Sequence, residues 1–315
     1  MPKTPQLNDI IKAHERIKKF IHKTPVLSSL GINVITGTSV YFKCENFQKV
    51  GAFKFRGASN AIALLSEDAK KRGVATHSSG NHAAALALAA KNMGIKAYIV
   101  MPETAPEIKK EAVKSYGAEI TFCAATLEAR ESTLNKVIER VGAMFIHPYN
   151  NTDIICGQGT AALELLGENP DLDIIMAPVG GGGLISGTAI AAKGINPKIK
   201  VFGAEPENAN DAYLSFTSGQ FVPAKPPNTI ADGLLTSLGD ITFKIISEKV
   251  DEIITVSEQA IIDAMRLIWE RMKIIVEPSS AVPLAAMLEN KEKFKGKSVG
   301  IILSGGNVDL NKLPF

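Results

Sequence analysis

Cysteine is scarce: Cys44, Cys123 and Cys156 are the three present in 315 residues, an odd number with no C-x-x-C spacing. That excludes a disulfide framework and a zinc knuckle and fits reduced thiols. An excess of either charge is also missing. Thirty-five Lys and Arg face 32 Asp and Glu, for a formal net charge of +3, too balanced for a binder of nucleic acid or of an anionic membrane. No run of 18 apolar residues occurs, and the opening MPKTPQLNDIIKAHERIKKF has no apolar h-region, so neither a membrane span nor a secretory leader is expected. The five histidines, His14, His22, His77, His82 and His147, show no transition-metal spacing. No low-complexity tract or solenoid period appears. A cytoplasmic protein is expected. Its length exceeds the ~250–300 residues at which a single core usually divides, so two domains are the expectation.

What is present points to an α/β chain. Leu7, Ile10, Ile11, Ile17, Phe20 and Ile21 recur with helical period. Short β-branched runs stand between helical stretches: VYF (40–42), AYIVM (97–101), DIIMAPV (173–179), KVFGAE (200–205) and SVGIILS (298–304). Strands alternating with helices predict βαβ units and mostly parallel sheet, buried on both faces. PAKPPNT (223–229) reads as a surface loop. Four strand ends run into small residues and then a helix: GVATHSSGNHAAALALAA (73–90), APVGGGGLISG (177–187), FGAEPENAND (202–211) and GIILSGGNVDL (300–310). Ligands of open parallel sheets sit beyond the carboxyl ends of strands, at helix N-termini. One ligand should touch several of these turns.

Gly180, Gly181, Gly182 and Gly183 follow an apolar strand and open a helix. Residues without Cβ let backbone N–H groups converge on an anion, and a phosphate is the simplest occupant. The bland alternative is a tight turn with close helix packing. Neither the dinucleotide G-x-G-x-x-G nor the P-loop fits, because Ser186 and Thr188 stand where those motifs need glycine and lysine. In VGAFKFRGASN (50–60), Lys54 lies between Phe53 and Phe55. An amine in an apolar, aromatic setting has its charged form disfavoured and its nucleophilicity raised; a snorkelling surface lysine is the ordinary alternative.

Taken together, GAFKFRGASNA, HSSGNHAAALA, GQGT (157–160), VGGGGLISG, EPENAND, VEPSSA (276–281) and SGGNVD (304–309) closely resemble the serine racemase and serine/threonine dehydratase family. Those are pyridoxal-phosphate enzymes of fold type II, tryptophan synthase β-like, and the branch nearest here includes threo-3-hydroxyaspartate ammonia-lyases. The resemblance spans nearly the whole chain. It implies two open, mostly parallel twisted sheets flanked by helices, with residues 1–70 and 151–315 forming a large cofactor domain and 71–150 a smaller mobile domain that clamps substrate. Homodimers are usual in the family.

By the same resemblance Lys54 carries the cofactor as an imine and Phe53 stacks on its ring. Asn81 donates to its 3-oxygen, Gly180 to Gly183 with Leu184 hold its phosphate, Gly233 and Glu277 border it, and Ser304 meets its pyridine nitrogen. Ser78, Ser79, Gly80 and His82 surround the substrate carboxylate at a helix N-terminus, a stretch that is otherwise only a polar N-cap. A serine at the pyridine nitrogen makes the ring a weaker electron sink than an aspartate would, which favours elimination and proton exchange over transamination. Lys54 and Ser79 then act on opposite faces of Cα, the two-base arrangement that inversion requires. Arg130, in LEARES, is the candidate for holding a second substrate carboxylate. Glu205, the Ala209 carbonyl and Asp211 offer oxygen ligands for Mg²⁺, or for Ca²⁺ or Mn²⁺; a solvated acidic loop is the alternative. Tyr149 replaces an asparagine that some members carry, and GAFKFRG stands where many have GSFKIRG.

The chain ends at Phe315 soon after SGGNVDL, so the isoleucine-responsive C-terminal domain of biosynthetic threonine dehydratases is not expected. The expected activity is serine racemisation with L-serine and L-threonine dehydration. The alternatives are threo-3-hydroxyaspartate ammonia-lyase, catabolic threonine ammonia-lyase and, from another class, a non-catalytic amino-acid-binding sensor. The expected partners are a small amino-acid substrate and a second copy of the chain, with a nucleotide effector such as ATP left open. Neither nucleic acid nor a membrane is expected.

Overall fold

The β-branched runs become strands of two sheets in the computed structural model, which describes residues 4–78, 80–105 and 107–315. In chain order the strands are β1 (Val26–Leu27), β2 (Ser39–Cys44), β3 (Val74–His77), β4 (Ala97–Pro102), β5 (Glu119–Cys123), β6 (Met144–Phe145), β7 (Ile174–Pro178), β8 (Lys200–Pro206), β9 (Glu252–Val256) and β10 (Ser298–Leu303). The larger sheet has the order β1-β2-β10-β7-β8-β9 and the smaller the order β5-β4-β3-β6. Pairing is parallel except between β1 and β2, the mixture expected when crossover helices cover both faces. Every strand of the smaller sheet falls between residues 74 and 145, and every strand of the larger sheet outside that span.

Side-chain alternation divides the larger sheet between two cores. Ile174 and Met176 of β7, with Val299, Ile301 and Leu303 of β10, pack under helices Glu258–Met272 and Pro278–Glu289. Ile175, Ala177 and Ile302 face the other way, against Thr152–Glu168 and Gly183–Ile195. In the smaller sheet, Asn81–Asn92 covers one face and Leu127–Val141 the other. Of the sequence motifs, 223–229 is indeed free of helix and strand.

GQGT is a packing device. A Cβ on Gly157 would fall 2.6 Å from the Arg56 carbonyl oxygen, and one on Gly159 would fall 2.8 Å from that of Gly187. Helix Thr152–Glu168 therefore touches Lys54–Ala63 on one side and Gly183–Ile195 on the other, backbone against backbone. This central helix sets the spacing between the lysine and the glycine quartet. On the same face of the sheet Lys43 is fully buried and pairs with Glu164 at 2.7 Å. Arg56, also fully buried, lies between Glu45 and Glu164, at 2.7 and 2.8 Å.

Candidate active site

Four loops at carboxyl ends of strands carry the residues that the motifs single out. Val50 and Gly51, with φ of 56° and 66°, turn the chain ahead of Lys54. Ala52 then bridges Gly305, and the Phe53 N–H donates to the Ser304 carbonyl at 3.0 Å. This stitching fixes the start of helix Lys54–Ala63 beside the end of β10. Lys54 Nζ donates to the Pro148 carbonyl at 2.9 Å and lies 5.2 Å from the centre of the Phe53 ring. Burial lowers its pKa to about 8, with Glu277 pulling the other way. Burial at this position, flanked by two phenylalanines, thus brings the amine to a pKa much nearer neutrality than that of an ordinary lysine, which makes its neutral, nucleophilic form far more accessible.

Beyond β3, Gly80 precedes helix Asn81–Asn92, and its N–H approaches Ser78 Oγ at 3.3 Å. Asn81 Nδ2 donates to both Glu277 oxygens, at 3.0 and 3.1 Å, so its amide is directed at a carboxylate of the larger-sheet segment. Glu277 is buried, and burial followed by the nearby Asp232 charge pushes its pKa to about 7. His82 is also buried; its Nε2 meets the Ile146 carbonyl at 3.3 Å. Burial and the Lys54 charge hold its pKa well below the ordinary value, so it contributes a neutral imidazole. Ser79 lies outside the described residues.

At the end of β7, Gly182 caps helix Gly183–Ile195 with a φ of 83°, in the left-handed region that glycine adopts without strain. The first N–H groups of this helix have no intrahelical acceptor. Gly180 packs on Leu234 next to Gly233, whose N–H donates to Ser279 Oγ at 3.0 Å; Leu184 is buried. Tyr149 lies against Gly181 and Gly183, in the segment that also accepts the Lys54 hydrogen bond. Ser304 is buried at the end of β10, with its hydroxyl 3.0 Å from that of Ser280. Direct contacts therefore join Lys54, Phe53 and Ser304, and separately Asn81 and Glu277; the Glu277 N–H, which donates to the Gly305 carbonyl at 3.1 Å, links the two sets, and the glycine quartet reaches Lys54 through residues 148 and 149.

Two sets stand apart from this centre. Glu205 and Asp211 are buried near each other; Glu205 accepts the N–H groups of Ala212 and Tyr213 at 3.1 and 2.9 Å, and Asp211 Oδ2 has no hydrogen-bond partner among the described residues. Burial pushes their pKa values up to about 9 and about 6. Two carboxylates held this way, with the buried Ala209 beside them, fit a divalent cation, which would favour their charged forms. Among the described residues no three His, Cys, Asp or Glu side chains converge on a metal position, so carbonyl and water ligands would complete this site. Arg130 lies in the first turn of helix Leu127–Val141, and its Nη2 donates to the Ala125 carbonyl at 3.4 Å.

Motif reading missed His147 and Asn307. His147 Nδ1 accepts the N–H groups of Tyr149 and Asn150, at 3.3 and 2.9 Å. Burial, aided by the His77 and Lys54 charges, lowers its pKa to about 4, so it braces the 147–150 turn as a neutral acceptor. Asn307 bonds Asn81 at 2.9 Å. Their partners, backbone N–H groups for His147 and the Val50 carbonyl and Asn81 side chain for Asn307, are not revealed by spacing.

A buried amine of lowered pKa, a glycine-led helix N-terminus and a buried hydroxyl are the donor set that an aldehyde bearing a phosphate and a ring nitrogen requires, so these residues fit pyridoxal phosphate. The comparisons with known proteins agree. The chain is 56% identical over 314 residues to a serine racemase of Dictyostelium discoideum, covering 98% of this chain and 97% of that one. It is 50% identical over 311 residues to a beta-hydroxyaspartate dehydratase of Paracoccus denitrificans, covering 99% of each. The structure of maize serine racemase superposes with a TM-score of 0.96 at 49% identity, over 98% of this chain and 95% of that one. The signature described as "Pyridoxal-phosphate dependent enzyme" matches residues 17–305, and the chain belongs to that family.

Proposed function

We propose that the chain is a serine racemase that also dehydrates L-serine and L-threonine to a 2-oxo acid and ammonia. The observation that carries this reading is Lys54: a buried amine with its pKa lowered to about 8, on a segment fastened to the end of β10 through Ala52 and Phe53 and to Asn81 through Asn307. Bound there, pyridoxal phosphate supplies a ring that acidifies the α-proton of an amino acid attached to it. Lys54 removes or returns that proton on one face of Cα, and Ser79 on the other. Ser78, Ser79, Gly80 and His82 surround the substrate carboxylate at a helix N-terminus, and Asn81 donates to the cofactor's 3-oxygen. Gly180 to Gly183 and Leu184 hold the phosphate, Phe53, Gly233 and Glu277 border the ring, and Ser304 faces its nitrogen. If the β-hydroxyl leaves after Cα is deprotonated, ammonia and the 2-oxo acid follow; if a proton returns from the Ser79 side, configuration inverts.

Residues 71–150 form the moving clamp in this reading, and the remainder forms the cofactor domain; closure excludes water from the proton transfers. Glu205, Ala209 and Asp211 hold Mg²⁺, and the enzyme works as a cytoplasmic homodimer. A second reading, threo-3-hydroxyaspartate ammonia-lyase, draws on Arg130, whose buried Nε has no hydrogen-bond partner among the described residues and whose fork suits a second carboxylate. Measuring kcat/KM for L-serine, D-serine, L-threonine and threo-3-hydroxyaspartate separates the two. Ser79→Ala is expected to abolish inversion while sparing elimination from the L-isomer. Purified protein that is colourless, and that borohydride does not label at Lys54 in the presence of the cofactor, refutes both.

A further inference from the structure

We infer that Asn307 is a positioning residue for Lys54: one side-chain amide holds the strained turn ahead of the lysine and ties it to Asn81. Val50 sits at φ 56° and ψ 14°, in the left-handed region where a β-branched side chain is strained. Such a conformation persists only where its surroundings over-determine it. Here the restraint is visible. Asn307 Nδ2 donates one hydrogen to the Val50 carbonyl at 2.7 Å and the other to Asn81 Oδ1 at 2.9 Å, while its backbone N–H approaches Glu277 Oε2 at 3.3 Å. Its Oδ1 lies over Gly51, 2.6 Å from where a Cβ would stand. The amide cannot be reversed, because its oxygen would then face two acceptors. Gly51, Ala52 and Phe53 are fastened by backbone bonds to Gly306, Gly305 and Ser304; the Val50 carbonyl, at the strained residue itself, is held by the Asn307 side chain. The same amide sets Asn81, which in turn donates to Glu277. The carboxylate-binding turn and the lysine turn therefore share one joint.

This inference rests on Lys54 being the working amine, and its test separates the two. Hydrogen exchange of the cofactor-free protein is followed over residues 49–56, together with kcat and KM of the holoenzyme, for wild type, Asn307→Ala, Asn307→Asp, and Asn307→Ala combined with Val50→Gly. Asn307→Ala is expected to speed exchange over 49–56 while leaving Thr152–Glu168 protected. It should lower kcat roughly 10- to 100-fold, the scale of a displaced catalytic group, with little change in KM. Asn307→Asp keeps the volume and loses both donors, so it should behave alike and serves if the alanine variant does not fold. Because glycine adopts positive φ freely, Val50→Gly is expected to restore a large part of kcat. Exchange and kcat unchanged in Asn307→Ala and Asn307→Asp, or no recovery with Val50→Gly, overturns the inference. A wild type without activity but with fast exchange in the variants would instead refute the reading of Lys54.

Discussion

Arg56→Met should be among the most destabilising single substitutions in the chain. The guanidinium is fully buried and donates to Glu45 from Nε and Nη2 at 2.7 and 2.8 Å, to Glu164 from Nη1 and Nη2 at 2.8 Å each, and to Thr160 Oγ1 at 3.2 Å. Lys43 completes the set on Glu164, so two buried cations balance two buried carboxylates. Burial raises the Glu164 pKa, but Arg56 and Lys43 outweigh it and leave the carboxyl below its ordinary value. Methionine keeps much of the volume and leaves one carboxylate without a counter-charge, a loss of about 3–5 kcal/mol. With about 2.1 cal/mol/K of unfolding entropy per residue, a chain of 315 residues converts that into a fall in Tm of roughly 5–8 °C.

Thermal unfolding of the cofactor-free protein measures it, and a second variant tests the cause. Glu45→Gln added to Arg56→Met restores charge balance around the intact Lys43–Glu164 pair, so Tm should recover part of the loss. Arg56→Lys should fall between, retaining the charge without the bidentate fork. The pH dependence has a definite sign. Glu164 has a depressed pKa in the folded state, so its contribution is present above its unfolded pKa and is lost as pH falls through the folded one; Arg56→Met should flatten the acid limb. A Tm drop under about 2 °C, the equivalent of roughly 1 kcal/mol, or a further drop on adding Glu45→Gln, refutes the charge-balance argument.

Three other outcomes follow from the geometry. Borohydride trapping of the cofactor on Lys54 should rise with pH to half its limit near pH 8, since burial brings the amine to about 8 and only the neutral amine reacts; a midpoint near the ordinary lysine value contradicts the assigned burial. Mg²⁺ should raise Tm and chelator should lower it, with Asp211→Asn removing the effect, as buried carboxylates with no counter-charge lose their penalty when a cation binds; an unchanged Tm in Mg²⁺ counts against the site. Gly157→Ala should destabilise by about 1–3 kcal/mol or more and reduce cofactor occupancy, because its Cβ would meet backbone at 2.6 Å; native Tm and occupancy refute the role assigned to the central helix.

Much of this was legible because buried parallel strands leave continuous apolar runs. AYIVM, DIIMAPV and SVGIILS read directly as β4, β7 and β10. β5 is largely half-exposed, and β1 and β6 have two residues each, too short to show a period. The lysine, the glycine quartet and the Asn81 turn could be found because each sits where a strand stops and a helix starts. Arg56 could not be read in the same way. In KFRGASN it looks like an ordinary solvated arginine, and its burial depends on Glu45 and on Glu164, which lies 108 positions away. GQGT was visible as a motif, but its reason is the approach of three helices.

The glycine quartet shows why a motif and its cause must be separated. A Cβ on Gly181 would lie 2.4 Å from the Tyr149 ring, one on Gly183 would lie 2.5 Å from Gln158 Oε1, and one on Gly180 would lie 3.0 Å from the Leu234 Cα. Each glycine is demanded by its neighbours before any phosphate is considered, so Gly181→Ala would break packing and phosphate binding together and test neither alone. Changing the ligand is cleaner than changing the protein. Pyridoxal has the aldehyde that meets Lys54 but lacks the phosphate that the helix N-terminus would hold. Losing one or two charge-assisted hydrogen bonds is worth roughly 3 kcal/mol, or more than about 100-fold in Kd. Titrating the cofactor-free protein with both aldehydes, read by absorbance, should show that gap, and it should narrow in high phosphate as the anion competes for the same N–H groups. Equal affinities for the two aldehydes would mean that the glycines serve packing only.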